Sequence, residues 1–170
     1  MVCFLIMCTG SCLSVRGESQ LLDETAVKAG FLLNFAKFVE WPAAKSGSLN
    51  FCIVGDDRMA VSLEAGLARK SIGSRSLVVR NRPGMAEMLS CAVIYIGRTE
   101  KKMAAQIAQS VAGQHILTVS EFPELGSQGV AINFFLDEER VRFEVHLGAV
   151  KQAGLTMSSR LLSLARVVGN

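Results

Sequence analysis

The chain has 170 residues, of which 50% are hydrophobic and 19% are charged, and its formal net charge is +3. This length suits one domain with a substantial core, and so small a charge does not indicate a nucleic-acid partner. After residue 20 no run of eighteen apolar residues occurs, so we expect no membrane-spanning helix in the mature chain.

The chain begins with a short apolar run, MVCFLIMCTGSCLSV, which is followed by the polar RGESQ. Such a run is typical of the later part of a secretory signal peptide, although here no Lys or Arg precedes it. We therefore expect residues 1–20 to be a signal peptide, residues 21–170 to be the mature domain, and the protein to be exported to the periplasm. A buried N-terminal helix is the alternative.

The segment KAGFLLNFAKFVEWP, Lys28–Pro42, is predicted to be a helix that is apolar almost all round. A helix of this kind is buried, lies in a membrane or contacts a partner, and this one is too short and too interrupted to span a membrane. The residues that interrupt it are Lys28, Asn34 and Lys37. Phe31, Phe35 and Phe38 share one stripe, which suits the core.

Partner contacts are predicted in two places. On the helix they are Leu32, Val39 and Trp41, which point away from the phenylalanine stripe. On the segment VRFEVHL they are Arg142, Glu144 and His146, which alternate with apolar residues and so share one face of a strand. Tryptophan is common at binding hot spots, and charged groups beside an apolar patch favour selective contact. Complete burial of the helix is the alternative.

The middle of the chain alternates between short apolar runs and helical patterns. The runs are LNFCIVG (Leu49–Gly55), CAVIYIG (Cys91–Gly97) and HILTVS (His115–Ser120). Continuous apolar strands separated by helices are typical of a mostly parallel sheet that is covered on both faces. One of the helices, TEKKMAAQIAQSV, is predicted to begin at an N-cap residue, Thr99.

The pattern changes near the C-terminus. VAINFFLDEERVRFEVHL predicts two strands joined by an acidic turn, Asp137-Glu138-Glu139. SSRLLSLARVV predicts a final helix that begins at a serine cap. No linker divides the chain, so the predicted fold is α/β: a single domain with a mixed, mostly parallel sheet, helices on both faces and a C-terminal β-hairpin plus helix.

The sequence carries no recognisable catalytic or metal-binding motif. No glycine-rich loop leads into a helix as a phosphate site requires, and no G-x-S-x-G elbow is present. The two histidines, His115 and His146, have no Cys or carboxylate at ligand spacing. We therefore predict no catalytic residue, no metal and no cofactor, and we expect the protein not to be an enzyme.

Two cysteines, Cys52 and Cys91, remain after the predicted signal peptide. An even pair in an exported chain suggests a disulfide. Two buried free thiols in strands are the alternative.

Two long segments resemble the two signature ends of the YfiR-like family. They are KAGFLLNFAKFVEWP and VRFEVHLGAVKQAGLTMSSRLLSLARVV, and LNFCIVG, CAVIYIG and HILTVSE lie between them in the family order. The resemblance runs from about Asp23 to Val168. It implies an exported α/β protein in which Cys52 and Cys91 form a family disulfide. A second family disulfide has no counterpart in this chain, and His146 stands where the family more often has asparagine.

The resemblance also implies a function. The best-known member of the family is a periplasmic repressor that holds an inner-membrane diguanylate cyclase inactive and is sequestered by an outer-membrane lipoprotein. We therefore expect this chain to bind and repress the periplasmic domain of a membrane diguanylate cyclase, which would lower cyclic di-GMP and biofilm formation. We also consider a lipoprotein partner and a homodimer. The alternative is a periplasmic small-molecule-binding sensor domain of another signalling system.

Overall fold

The computed structural model describes residues 15–42, 47–67 and 71–169, with side chains from residue 24 onward. Residues 1–14 of the predicted signal peptide lie outside these ranges, and residues 15–20 belong to the first helix. Within the described residues, no helix combines the length and the apolar character that crossing a membrane requires.

The described part of the chain forms six α-helices, two 3₁₀ helices and ten strands. The α-helices are α1 (Val15–Phe38), α2 (Asp57–Leu67), α3 (Met85–Met88), α4 (Lys101–Ser110), α5 (Leu147–Gln152) and α6 (Ser159–Leu162). The 3₁₀ helices are Arg98–Glu100 and Pro123–Gln128. The strands are β1 (Val39–Glu40), β2 (Leu49–Val54), β3 (Ser71–Ile72), β4 (Arg75–Asn81), β5 (Val93–Ile96), β6 (Leu117–Ser120), β7 (Ile132–Asp137), β8 (Arg140–His146), β9 (Thr156–Met157) and β10 (Arg166–Val168).

Eight of these described strands form one sheet in the order β10-β8-β7-β6-β5-β2-β4-β3. The strands β4, β2, β5, β6 and β7 are parallel to one another, and β8 is parallel to β10. The pairs β7–β8 and β3–β4 are antiparallel, and β1 pairs with β9 apart from the main sheet. The predicted mixed, mostly parallel sheet in a single α/β domain is therefore confirmed.

Side chains of the central strands pack on both faces of the sheet. In β2, Phe51 and Ile53 lie in a core that includes residues of α1 and α2. Cys52, between them, lies in a second core that includes residues of α4. Successive residues of a strand point to opposite faces, so strands buried on both sides are mostly apolar along their length, and their few buried polar residues, such as Asn50 and Thr118, are hydrogen-bonded. This explains the continuous apolar runs in the sequence.

Helix α1 packs on one face of the sheet through its phenylalanines. Phe35 is fully buried, and its ring centroid lies 4.9 Å from that of Phe143 in β8. Phe31 lies 5.4 Å from the same ring. Aromatic rings at these separations contribute beyond their buried area. The same helix also contacts α2 and α6, so more than one of its faces is covered.

This additional packing overturns two predicted contacts. Leu32 is fully buried, and Val39 is 5% exposed. Val39 lies in β1, where it pairs with Met157 of β9. The expectation that Leu32 and Val39 face a partner is therefore wrong, because elements from later in the chain cover that side of the helix.

The hairpin between β7 and β8 has a two-residue turn. Glu138 and Glu139 have φ values of 47° and 63°, and Asp137 pairs with Arg140 at the ends of the strands. Positive φ at both central residues is characteristic of a type I′ turn, whose twist matches that of the two strands it joins. The predicted hairpin is confirmed, although Asp137 belongs to the strand and not to the turn.

The predicted C-terminal helix is only partly correct. Its serine cap is present, since the Leu161 backbone N–H donates to Ser158 Oγ at 3.3 Å. The helix ends at Leu162, and the last residues form β10, in which Arg166 pairs with Glu144 of β8. The segment ARVV continues the helical spacing of apolar residues. Its backbone groups instead form hydrogen bonds with the edge of β8, which satisfies them as a helix would.

A disulfide joins Cys52 in β2 to Cys91, which precedes β5. Their Cα atoms are 6.0 Å apart, and neither residue has exposed surface. The pairing that the family resemblance implied is therefore present.

We expect replacement of both residues, Cys52→Ala with Cys91→Ala, to lower the free energy of unfolding by about 4 kcal/mol. The bond joins residues that are 39 positions apart in the sequence. Its loss therefore increases the conformational entropy of the unfolded chain. Urea unfolding of the double variant and the wild type measures the difference. Labelling of Cys52 and Cys91 by a thiol reagent in unreduced, unfolded wild-type protein would contradict the bond and this expectation.

Candidate functional site

A cleft of about 770 Å³ opens where the parallel strands end. Its lining includes Asp56 after β2, Arg82 after β4, Arg98 after β5 and Glu121 after β6. From β2 the chain places β4 on one side and β5 on the other. In open α/β sheets, the crevice outside the carboxyl ends of strands at such a reversal is where ligands bind. The cleft is therefore the candidate functional site.

Two glycines shape the floor of the cleft. A Cβ on Gly97 would lie 2.8 Å from the Gly55 carbonyl oxygen, so a side chain there would force the backbone apart. Gly55 has a φ of 74°, a conformation that glycine adopts without strain. The Thr99 hydroxyl donates to the Gly55 carbonyl at 2.7 Å. The prediction that Thr99 caps α4 is wrong, because its hydroxyl ties the loops after β2 and β5 together.

One wall of the cleft is a network of charged side chains between α1 and the strand ends. Lys28 Nζ lies 2.8 Å from Glu121 Oε2, and each of these two side chains is only 5% exposed. Lys28 also pairs with Glu24 one turn earlier in α1. Arg98 pairs with Glu121, and its Nη2 lies 3.1 Å from Glu24 Oε1. The Tyr95 hydroxyl donates to Glu121.

The network contains two cations and two carboxylates, so its formal charges cancel. Burial alone would raise the pKa of Glu121, but hydrogen bonds from Lys28, Tyr95 and Arg98 outweigh it and hold that pKa below the ordinary value. Burial, together with the negative charge of Glu121, raises the pKa of Tyr95, so the phenol stays protonated and can donate. Buried charges are tolerated only when they are paired and hydrogen-bonded in this way.

The opposite wall comes from the start of α2 and the end of β4. Asp57 accepts hydrogen bonds from Asn81 Nδ2 at 2.9 Å and Arg82 Nε at 3.0 Å. The hydrogen bond from Arg82 is the main cause of the lowered pKa of Asp57. Asp56 Oδ1 accepts from the Met59 backbone N–H at 3.0 Å, which caps α2.

Apolar residues complete the lining. They are Val54, Pro83, Met88 and Met103. Among the described residues there is no group of three or more His, Cys, Asp or Glu side chains that could hold a metal ion. The arrangement thus offers charged donors and acceptors on two walls and an apolar surface between them, which suits a small molecule of mixed character.

The predicted contact residues do not lie together at this cleft. Trp41 follows β1, is half-buried and packs beside the core that contains α1. Arg142 is exposed, with its Nε 3.8 Å from Asp137 Oδ2. Its neighbour Phe143 faces α1, so Arg142 points to the opposite face of the sheet. Trp41 and Arg142 therefore mark two separate surfaces.

Glu144 is not a surface contact, as the sequence had suggested. Its side chain is 4% exposed, and its Oε2 accepts from Arg166 Nε at 3.1 Å. Its other oxygen lies 2.9 Å from His146 Nε2, and the His146 side chain is itself largely buried. The expectation that Glu144 faces a partner is wrong, because β10 covers β8 and supplies the cation that neutralises it.

Sequence reasoning missed the residues of the cleft. Lys28 stood out only as an interruption of an apolar helix, and Arg98 and Glu121 were scattered polar residues. A signal was present, since polar residues directly follow three of the apolar strands in IVGDD, YIGR and TVSE. Because parallel strands end at one edge of a sheet, such residues are brought together there.

Comparisons with known proteins agree with this description. The profile of the YfiR/HmsC-like family matches residues 25–166, which is most of the chain. A conserved domain protein from Vibrio cholerae O1 biovar El Tor is similar in structure, with a TM-score of 0.56 and 12% identity over 85% of this chain and 60% of that one. An ABC domain from Streptococcus pneumoniae, solved in complex with L-Trp, has a TM-score of 0.55 and 8% identity over 86% of this chain and 60% of its own. The chain thus spans about 60% of the length of these two solved structures, and the likeness to them shows the fold alone.

We expect Glu121→Gln to destabilise the protein by about 3 kcal/mol at neutral pH, because it leaves Lys28 buried with one fewer carboxylate. The pKa of Glu121 is lowered in the folded protein, so its contribution is present above the ordinary value of 4.5 and is lost as the pH falls through the lower folded value. The difference in unfolding free energy between wild type and variant should therefore narrow below pH 4.5. Urea unfolding across this range measures it.

Glu124→Gln is the matched control. Glu124 also pairs with a cation, Lys101, but both side chains are more than half exposed, and exposed pairs contribute little. Equal destabilisation by the two variants, or a difference for Glu121→Gln that does not change with pH, would contradict the buried network.

Proposed function

Because the chain belongs to the YfiR/HmsC-like family, we propose that it is a periplasmic regulator that represses a membrane diguanylate cyclase by contact. The match over residues 25–166 is the observation that carries this proposal. The family is regulatory and non-catalytic. Repression of a cyclase would lower cyclic di-GMP and so limit biofilm formation. An outer-membrane lipoprotein that sequesters the regulator, and a homodimer, belong to the same proposal.

The proposed location is supported by two features of the chain. The apolar run before Arg16 suits a signal peptide. The disulfide between Cys52 and Cys91 suits an oxidising compartment, since such bonds are rare in reducing cytosol.

Two positions are the proposed contacts with the cyclase. Trp41 is half-buried and lies at the end of the β1 segment, where α1 leads out of the core. Its indole Nε1 is buried without a hydrogen-bond partner among the described residues, and buried indole N–H groups ordinarily have one. The part of the ring that stays exposed is the surface that a partner would cover. Arg142 offers an exposed cation on the other face.

A second candidate function is a small-molecule sensor. The cleft at the carboxyl ends of β2, β5 and β6 favours it, because its size and its mixture of apolar and charged walls suit a ligand. The two functions are compatible, since a ligand could modulate a contact elsewhere on the domain.

Deletion of the gene in its native bacterium should raise cellular cyclic di-GMP, and a plasmid copy should reverse the rise, because a repressed cyclase becomes active when its repressor is lost. Mass spectrometry of nucleotide extracts measures the change. An unchanged level in a strain that expresses the partner cyclase would refute repression, and the sensor would then become the first candidate.

Trp41→Ala and Arg142→Glu should each weaken repression while the protein still accumulates, because Arg142 is exposed and Trp41 packs at the margin of the core and keeps exposed surface. Truncating a hot-spot tryptophan costs about 2 kcal/mol or more of binding. Pull-down of the cyclase periplasmic domain, with cyclic di-GMP measured in parallel, tests both variants. Arg160→Glu is the control, since Arg160 is an exposed cation on α6. Retained binding by both variants would exclude these two positions.

A further inference from the structure

We propose that the cleft binds a small organic monocarboxylate. Its anionic group would contact the arginines of the lining, and its apolar part would pack on the apolar wall formed by Val54, Pro83, Met88 and Met103. This proposal rests on the second candidate function, the sensor. It is independent of whether the protein represses a cyclase.

Three arginines and one carboxylate are the exposed charged side chains of the described lining. The Arg98 side chain is 59% exposed and the Arg82 side chain 72% exposed. Arg58 also lines the cleft and is exposed. The carboxylates of Glu24 and Glu121 are largely buried behind Arg98. A solute that enters the cleft therefore meets guanidinium groups before it meets those carboxylates.

The two paired arginines keep donors for a ligand. Arg82 uses Nε and Nη2 to bind Asp57, and Arg98 uses Nε and Nη2 to bind Glu121 and Glu24. Within the part of the chain that the structure describes, no hydrogen bond is formed by the Nη1 of either. A guanidinium has five N–H donors in a planar fork that matches a carboxylate. The first turn of α2 lies in the same lining.

The acidic residues of the lining limit the charge that a ligand can carry. The lining contains five carboxylates and four cations. Asp57 is exposed but is neutralised by Arg82, and Asp56 caps α2. A dianion such as phosphate would be repelled by this excess of carboxylates, whereas a single negative charge can be accommodated by one or two arginines.

The apolar wall indicates the rest of the ligand. Met88 is buried, Met103 is 41% exposed, and Val54 and Pro83 are half-buried beside them. Methionine side chains are flexible and adapt to ligands of different shape. A carboxylate with a short aliphatic or aromatic group would cover this wall and remove its apolar surface from water.

Isothermal titration calorimetry on protein purified after expression of the full chain tests the proposal. The probes are sodium hexanoate and sodium benzoate, their neutral amides hexanamide and benzamide, the cation hexylamine, and inorganic phosphate. We expect at least one of the two carboxylates to bind, and its amide to bind at least tenfold more weakly, since hydrogen bonds to a charged group contribute about 1.5 kcal/mol or more.

Variants of the lining locate the site. Arg82→Gln and Arg98→Gln should each weaken carboxylate binding about tenfold, whereas Arg160→Gln, at an exposed arginine of α6, should leave it unchanged. Met103→Glu should abolish binding because it places a like charge on the apolar wall, and Met103→Leu should preserve it. Thermal unfolding of each variant establishes that the fold is retained.

The outcomes separate this proposal from the functions that precede it. Equal binding of an acid and its amide, tighter binding of hexylamine or phosphate, or an unchanged affinity in both Arg82→Gln and Arg98→Gln would overturn carboxylate recognition while a ligand-binding cleft remained. Failure of every probe to bind would overturn the proposal and remove support from the sensor. Neither result would alter the cyclic di-GMP measurement on the deletion strain.

Discussion

The ion pair between Lys28 and Glu121 determines where α1 lies on the sheet. Both side chains are buried, so each would be costly without the other. Lys28 comes from the helix, and Glu121 follows β6 at the carboxyl edge, so their pairing fixes the helix along its axis. That position brings Glu24 and Thr25 into the cleft. Apolar packing alone could not set this register as sharply, because the hydrophobic effect has no direction.

The phenylalanine cluster acts on the same helix in a different way. Phe31 and Phe35 pack against Phe134 and Phe143, which lie on neighbouring strands. These contacts bury aromatic surface between α1 and the sheet, whereas the ion pair adds a directional contact at one point along the helix. A helix held in both ways needs few apolar residues on its outer side, yet α2 and α6 cover that side as well. Leu32 is therefore core, although its place on the helix wheel suggested a surface.

The fold could be predicted from the sequence because its dominant signals are local. Three continuous apolar runs indicated parallel strands buried on both faces, and three acidic residues between alternating strands indicated the hairpin. The errors arose where tertiary contacts decide. The segment SSRLLSLARVV has apolar residues at helical spacing, but its last residues, Arg166–Val168, add to the edge of β8. The burial of Glu144 depends on Arg166, which lies 22 residues further along the chain. The cleft is formed by four strand ends that are far apart in sequence, so no single sequence motif predicts it.

Helix α1 connects the cleft to one of the proposed contact surfaces. It contributes Lys28 to the cleft, and ten residues later Phe38 ends the helix, after which β1 leads to Trp41. Ten helical residues span about 15 Å, so this stiff helix runs from the cleft to the short strand that precedes Trp41. A carboxylate bound to the free donors of Arg98 would add negative charge beside Lys28 and Glu121 and so change the free energy of docking α1. Such a change would reach Trp41 through the helix, and by thermodynamic linkage a partner bound at Trp41 would change the ligand affinity by the same factor.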